Sequence, residues 1–492
     1  MKLYSGFVLT ALFLSAVAEA QQNGAPGLNH RLKPGEHLQF TVDAQKRLQN
    51  VPRGVTGIAI GSITGYAQPY FPYEKNPEGT YVLPQETEDA ARELNLSMTR
   101  FYGLSLMPFG LNGTIDRCAE LCNKFGIPQE STPIELEGAK KFLSVEEWIS
   151  TVKYSLSKGY KFKMWEITNE PWDHFKAEDY ANHVIEISKA IKSIQPDAQI
   201  GMALKRANDL EFKHEMLLEK AAGHYDWISA HYYDFSDAYA TPFEGIVLAG
   251  NFRSLDCILH NAELIKKYNP AKPVYQYDTE WGLHSIAPKG KKTDDLSRNA
   301  NIHGALYRAV RLIYYVRENF VRGAGAWSLF SYPNRPGFAH LGKDPGKIAM
   351  PYWVHYYFNR HLGELALDLD GTAPYYSGSP GEPYKSKKKQ TFSGPLTPLV
   401  VTMSKDGNSL FLIVANGSWN REIPLSMDMK NFTAAKSAGV ALSSSNPDAH
   451  PFLEKKEDFV SDLPIGLEQN TLTCTLPPHS VVFVTMTGVA GK

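Results

Sequence analysis

The sequence predicts an α/β protein built on an eight-stranded (β/α)8 TIM barrel with a C-terminal β-sandwich. Three observations predict it. Short apolar runs alternate with amphipathic helical stretches over 54–356, the helical pattern then fades, and two glutamates close two well-separated strand-like runs. Parallel strands need long, usually helical crossovers, so strict alternation implies a parallel sheet. Eight such units over about 300 residues favour a closed barrel.

Taken in order, the chain opens on Met1-Lys2, an apolar stretch over 7–17 and the small-residue pattern Ala18-Glu19-Ala20. That layout is a cleavable signal peptide over 1–20. The stretch falls short of the ~20 apolar residues that a bilayer-spanning helix needs, and no later run reaches that length. The expectation is a secreted, extracellular protein, or a periplasmic one in a bacterial host. Sequons at Asn95, Asn112, Asn416 and Asn431 fit that route and mark a possible glycoprotein. The segment 21–53, with Leu-Gln-Phe-Thr-Val over 38–42, is expected to add a strand to the sandwich.

Barrel strands are expected at 54–61, 96–103, a weaker run within 126–136, 162–168, 199–204, 227–233, 274–279 and 325–330. Helical stretches between them, such as 145–156, 181–192 and 301–316, repeat apolar residues at i, i+3, i+4 and i+7. From 357 to 492 the signal is β. The run 399–417, with a central Asp-Gly-Asn, reads as a hairpin, and 471–486 reads as two further strands.

Lys+Arg 51 against Asp+Glu 52 leaves no net field to attract nucleic acid, an anionic membrane or a highly sulfated polymer. Aromatic content is 12%, with 26 tyrosines; most rings belong to the core, and the remainder suit stacking on sugars. Four cysteines permit two disulfides. Cys118 and Cys122 are i,i+4 on an apparent helix, where Cβ atoms sit about 5–6 Å apart, and an unstrained bridge wants roughly 3.8 Å. Either that turn is irregular or each cysteine looks elsewhere; Cys257 and Cys474 are candidate free thiols.

The run Lys-Met-Trp-Glu-Ile-Thr-Asn-Glu-Pro-Trp over 163–172 closes strand four around Glu170. Pro-Val-Tyr-Gln-Tyr-Asp-Thr-Glu-Trp-Gly over 273–282 closes strand seven around Glu280. Barrel active sites form at the carboxyl ends of the strands, so strand order alone puts both glutamates on one face. Cleaving a glycosidic bond needs an acid for the leaving oxygen and a second carboxylate that attacks or activates water. Two glutamates divide those roles when their surroundings separate their pKa values. Either one alone reads as a salt-bridge partner; the pair in this register reads as a glycosidase.

Thr-Asn-Glu-Pro over 168–171 and Thr-Glu-Trp-Gly over 279–282 resemble the strand ends of clan A glycoside hydrolases, retaining enzymes on (β/α)8 barrels. The barrel-then-sandwich plan, with the segment 351–363 leading into the sandwich, resembles the β-xylosidase/iduronidase and α-L-arabinofuranosidase groups. The chain departs from the xylosidase pattern at Trp172, where an Asn is expected after the proline. The resemblance implies double displacement, with Glu170 as acid/base and Glu280 as nucleophile. It implies that Asn169 bonds the hydroxyl beside the anomeric carbon, that Arg100 holds the nucleophile ionised, and that His231 and Tyr233 bond the nucleophile or the sugar. Trp327 matches a sugar-stacking platform, and Trp172 and Trp281, beside the glutamates, are further candidates to line subsites. Asp278 stands two positions before Glu280 and so should share its face. With His231 and Asp234 it offers metal-type atoms, but hydrogen bonding is its expected role. The expected partner is a carbohydrate, a neutral polysaccharide or glycoconjugate, with no cofactor, metal, nucleic acid or membrane required. A transglycosylase and a non-catalytic carbohydrate-binding pseudoenzyme are the alternatives; both glutamates being present counts against the second.

Overall fold

The computed structural model describes residues 32–60, 74–75, 81–82, 84–107, 109–138, 141–205, 212–237, 241–286, 298–330, 348–380, 390–445 and 459–491. The expected signal peptide over 1–20 lies outside them.

Six parallel strands follow one another around the barrel in the order Val321–Ala326, Tyr275–Trp281, Trp227–His231, Gln199–Leu204, Met164–Ile167 and Pro133–Glu135. Two extended segments close the ring. Phe101 pairs in parallel with Ile134, while Gly54 and Ile58 pair in parallel with Gly323 and Ala326. Between those two segments the Ile60 N–H donates to the Arg100 carbonyl at 3.2 Å.

The third strand is short, Pro133–Glu135, at the end of its weak run. The eighth, Val321–Ala326, begins earlier than the aromatic-rich stretch that suggested it. Its Val-Arg-Gly-Ala-Gly-Ala sequence lacks the bulk that marks a strand, and packing explains why. A Cβ on Gly323 would meet Met98 Sδ and Tyr277 at 2.5 Å, and one on Gly325 would meet the Thr279 carbonyl at 2.6 Å.

Local rules account for the helices. Val145–Ser157 starts with a full capping box between Ser144 and Glu147, which satisfies two otherwise free backbone donors. Gly110–Phe125 ends on Gly126 at φ 70°, a left-handed cap that glycine adopts without strain. This helix is regular through Cys118 and Cys122, and all four cysteines are free thiols, so the disulfides that the count permits do not form. Ile302–Arg317 is buried along its whole length because it lies between the barrel and the β domain, against Leu399–Met403, Ser409–Asn416 and Ser480–Ala490.

Most strands of the β domain are hydrogen-bonded in one continuous path of a largely antiparallel sheet, while Tyr375–Gly378 and Phe392–Pro395 pair separately with each other. Leu38–Asn50 lies inside that path, antiparallel to Leu365–Ala373 and parallel to Ile423–Lys430. Leu399–Met403 and Ser409–Asn416 form the hairpin, and Ser409–Asn416 pairs onward with Ser480–Ala490.

Candidate active site

Arg100 occupies the centre of the barrel mouth and is fully buried. Its Nε and Nη2 donate to the two oxygens of Glu166 at 2.7 and 2.8 Å, its Nη1 donates to Glu280 Oε1 at 2.6 Å, and its Nη2 also donates to Asn169 Oδ1 at 2.8 Å. Burial opposes the guanidinium charge, but Glu166 and Glu280 outweigh it and its pKa is raised. Behind Glu166, the Ser229 hydroxyl donates to Glu166 Oε1 at 2.6 Å and lies 2.6 Å from the Thr279 hydroxyl. Strands two, four, six and seven are thus tied together through one arginine.

Glu280 is nearly buried, and both of its oxygens are engaged. Arg100 takes Oε1, and the Tyr233 hydroxyl donates to Oε2 at 3.0 Å. His231 Nδ1 stands 2.9 Å from Glu170 Oε1 and 3.9 Å from Glu280 Oε2. Burial alone would lower the His231 pKa; the Glu280 charge and the Glu170 hydrogen bond outweigh it, and the value is raised. One oxygen each from Glu170 and Glu280 and the His231 nitrogen all lie within 4.8 Å of one another. Glu170 is the most open of the three, with its side chain 32% exposed.

The backbone explains how both carboxyls reach the same space. Along strand seven, Gln276 and Asp278 face the surrounding helices and Thr279 faces the barrel. A register shift between Asp278 and Glu280 then inserts a bulge, and bulges re-aim side chains. Glu280 therefore points into the mouth, and Trp281 returns to the helix layer. Two expectations change as a result. Asp278 does not share the face of Glu280: it accepts from Tyr232 N, Tyr315 and Arg311, and burial raises its pKa to about 7. Trp281 lines no subsite; it is fully buried, with its ring 6.0 to 6.5 Å from Tyr315, Tyr307 and His355. Asp234 is likewise engaged by Arg253, Ser254, Tyr307 and Arg311.

On strand four, Thr168 and Glu170 have φ 60° and 47°. Left-handed backbone in a non-glycine residue costs on the order of 1–3 kcal/mol and persists only where the surroundings impose it. This turn throws Glu170 toward His231 and Asn169 toward Arg100. Trp172 meets His231 edge-on at 5.7 Å, and Trp327 packs against Tyr233 and Ala59 with Tyr102 at 5.4 Å. Of the residues singled out from sequence, Glu170, Glu280, Asn169, Arg100, His231, Tyr233, Trp172 and Trp327 converge on this mouth. Sequence reasoning missed Glu166 and Tyr102. The signal for Glu166 was present, since a charge inside the apolar run Met-Trp-Glu-Ile needs a buried partner.

No protein-family model matches the sequence, and no curated protein matches it. Solved structures do match its fold. A family 51 α-L-arabinofuranosidase from Thermotoga petrophila superposes at TM-score 0.69 and 15% identity, covering 91% of this chain and 99% of that one. A family 51 α-L-arabinofuranosidase from Bifidobacterium longum gives TM-score 0.69 at 17% identity, covering 92% and 100%. A family 44 xyloglucanase from Paenibacillus polymyxa gives TM-score 0.61 at 10% identity, covering 92% and 100%. At these identities the likeness shows the fold, a (β/α)8 barrel with a β-sandwich, over nearly the whole chain.

Proposed function

We propose that the protein is a retaining glycoside hydrolase. Glu280 attacks the anomeric carbon while Glu170 protonates the leaving oxygen; water, deprotonated by Glu170, then releases the sugar from Glu280. The observation that carries this reading is the close approach of the two carboxyls, one oxygen of Glu170 lying within 4.8 Å of one of Glu280, which favours the shorter of the two separations that glycosidases use. Retaining enzymes hold their carboxyls about 5–5.5 Å apart, whereas inverting ones leave about 6.5–9.5 Å for a water molecule. The asymmetry of the pair supports the division of roles. Glu280 is fixed on both oxygens, as suits a nucleophile with one trajectory. Glu170 is more open and hydrogen-bonded to a histidine, as suits a group that exchanges protons. Asn169, oriented by Arg100, offers its amide to a sugar hydroxyl, and Trp327 and Trp172 offer rings to sugar faces. The likeness to arabinofuranosidases and a xyloglucanase supports a carbohydrate substrate. The leader-like segment over 1–20 supports secretion. Among the described residues no helix is long and apolar enough to cross a membrane.

The test is a panel of 4-nitrophenyl α-L-arabinofuranoside, β-D-xyloside, β-D-glucoside, β-D-galactoside and β-D-mannoside, together with xyloglucan and arabinan. The product anomer is followed by NMR. Turnover with net retention is expected on at least one of them, and an inverted first-formed product would overturn the mechanism.

A further inference from the structure

Glu137 has no place in the chemistry above, yet its carboxylate accepts from four donors beside the mouth. It lies two residues beyond the third strand and is 2% exposed. Its Oε1 accepts from Leu143 N at 3.0 Å, from Trp148 Nε1 at 2.8 Å and from His183 Nε2 at 2.6 Å. Its Oε2 accepts from the Thr168 hydroxyl. Trp148 belongs to the helix Val145–Ser157 and His183 to the helix Ala177–Ile194. Phe142 stacks on His183 at 4.1 Å and 12°, and Phe175 stacks on Phe142 at 3.8 Å.

Three of the four donors come from the framework around strand four. The fourth, Thr168, is the first residue of the left-handed turn that presents Asn169 and Glu170. A β-branched residue is among the least suited to a positive φ. What opposes relaxation of that turn is the bond from the Thr168 side chain to a carboxylate anchored on two helices. We infer that Glu137 is a positioning residue for the reaction. Through Thr168 it holds the Glu170 carboxyl within reach of both His231 and the bond to be cleaved, without touching substrate itself. The inference rests on Glu170 being the acid/base.

Thr168→Val removes the hydroxyl and keeps the shape; Thr168→Ser keeps the hydroxyl. Both are assayed with Glu137→Gln and Glu170→Ala on phenyl and 2,4-dinitrophenyl glycosides of the sugar selected by the panel. A displaced acid matters only where the leaving group needs a proton. Thr168→Val should therefore lose about 100-fold in kcat/KM on the phenyl glycoside, the loss expected of a misplacement near 1 Å, and only a few-fold on the dinitrophenyl one. Thr168→Ser should stay near wild type on both. An equal loss on both substrates, or no loss, overturns the inference. Glu137→Gln should show the same selectivity, and Thr168→Val decides the matter if that variant does not fold. If the panel yields no turnover, a crystal structure of Thr168→Val decides: the Glu170 and Glu280 oxygens should separate beyond 4.8 Å, and an unmoved Glu170 overturns the inference. If Glu170→Ala itself lacks leaving-group selectivity, the reading of Glu170 has failed instead; if it shows selectivity and Thr168→Val does not, only the role of Glu137 falls.

Discussion

Glu280 enters the barrel mouth with both oxygens already committed, one to Arg100 and one to Tyr233. A buried arginine is tolerable only when paired, and breaking such a pair by removing one partner costs about 3–5 kcal/mol. Glu166 is the second partner that lets Arg100 remain buried, leaving its third nitrogen for Glu280. The two catalytic candidates should differ in how they are rescued. Glu280→Ala should lose turnover by orders of magnitude, and azide should restore part of it with inverted product. Glu170→Ala should lose about 10²–10⁴-fold on poor leaving groups, the usual contribution of general acid–base catalysis. On activated substrates azide should rescue it with retained product. Near wild-type rates from either variant would remove that residue from the mechanism.

Elements explain how those residues arrive. The bulge in strand seven separates Asp278 from Glu280, and the left-handed turn after strand four does the equivalent for Glu170. Both are local departures from regular strand that turn a side chain toward the mouth. The same scale sorts the sequons. Asn95, Asn112 and Asn431 are exposed. Asn416 is fully buried at a strand end, and its Nδ2 donates to the Arg421 and Pro477 carbonyls, each at 2.8 Å. A glycan there could not coexist with the folded sheet. Expressed with a signal peptide in a glycosylating eukaryotic host, the folded protein should carry no glycan at Asn416. Peptide mapping after enzymatic deglycosylation checks this, and an occupied Asn416 in active protein would contradict the packing around it.

At the level of the whole molecule, buried titratable groups set an opposed pH dependence. Burial raises Glu135 from 4.5 to about 8, Asp278 from 3.8 to about 7 and Glu318 from 4.5 to about 7. For Glu135 the neighbouring Glu137 adds to the rise, against a backbone N–H bond from Gly103. Each of these groups binds a proton in the folded state that the unfolded chain has released. Their contribution is complete below the unfolded values and is lost as pH climbs through the folded ones. His231, also raised, acts in the same direction. His303 and His355 are lowered by burial from 6.5 to about 3, so the folded state resists protonating them and loses stability as pH falls below 6.5. The melting temperature should therefore peak in the mildly acidic range and decline between about pH 6.5 and 8. Glu318→Gln should flatten that decline. A melting temperature that is level from pH 6 to 8 in dilute buffer would sink the prediction.

Much of this could be read from the chain before any coordinates. Strand–helix alternation set the barrel, loss of helical period marked the β domain, and strand order put residues 170 and 280 at one rim. Local pattern suffices there because hydrophobic period and turn chemistry are properties of neighbouring residues. Strand eight slipped because its glycines answer to Tyr277, Met98 and Thr279, which lie far away in sequence. Asp278, expected on the face of Glu280, and Trp281, a candidate to line a subsite, both turn toward the helices for a related reason. A period of two predicts alternation, but a single bulged residue reverses it, and the bulge is defined by pairing with strands six and eight. The partners of Arg100 and the four donors of Glu137 stayed hidden because each link joins residues on different elements. Only folding brings those groups within hydrogen-bonding distance, and the exclusion of water there makes each pairing necessary.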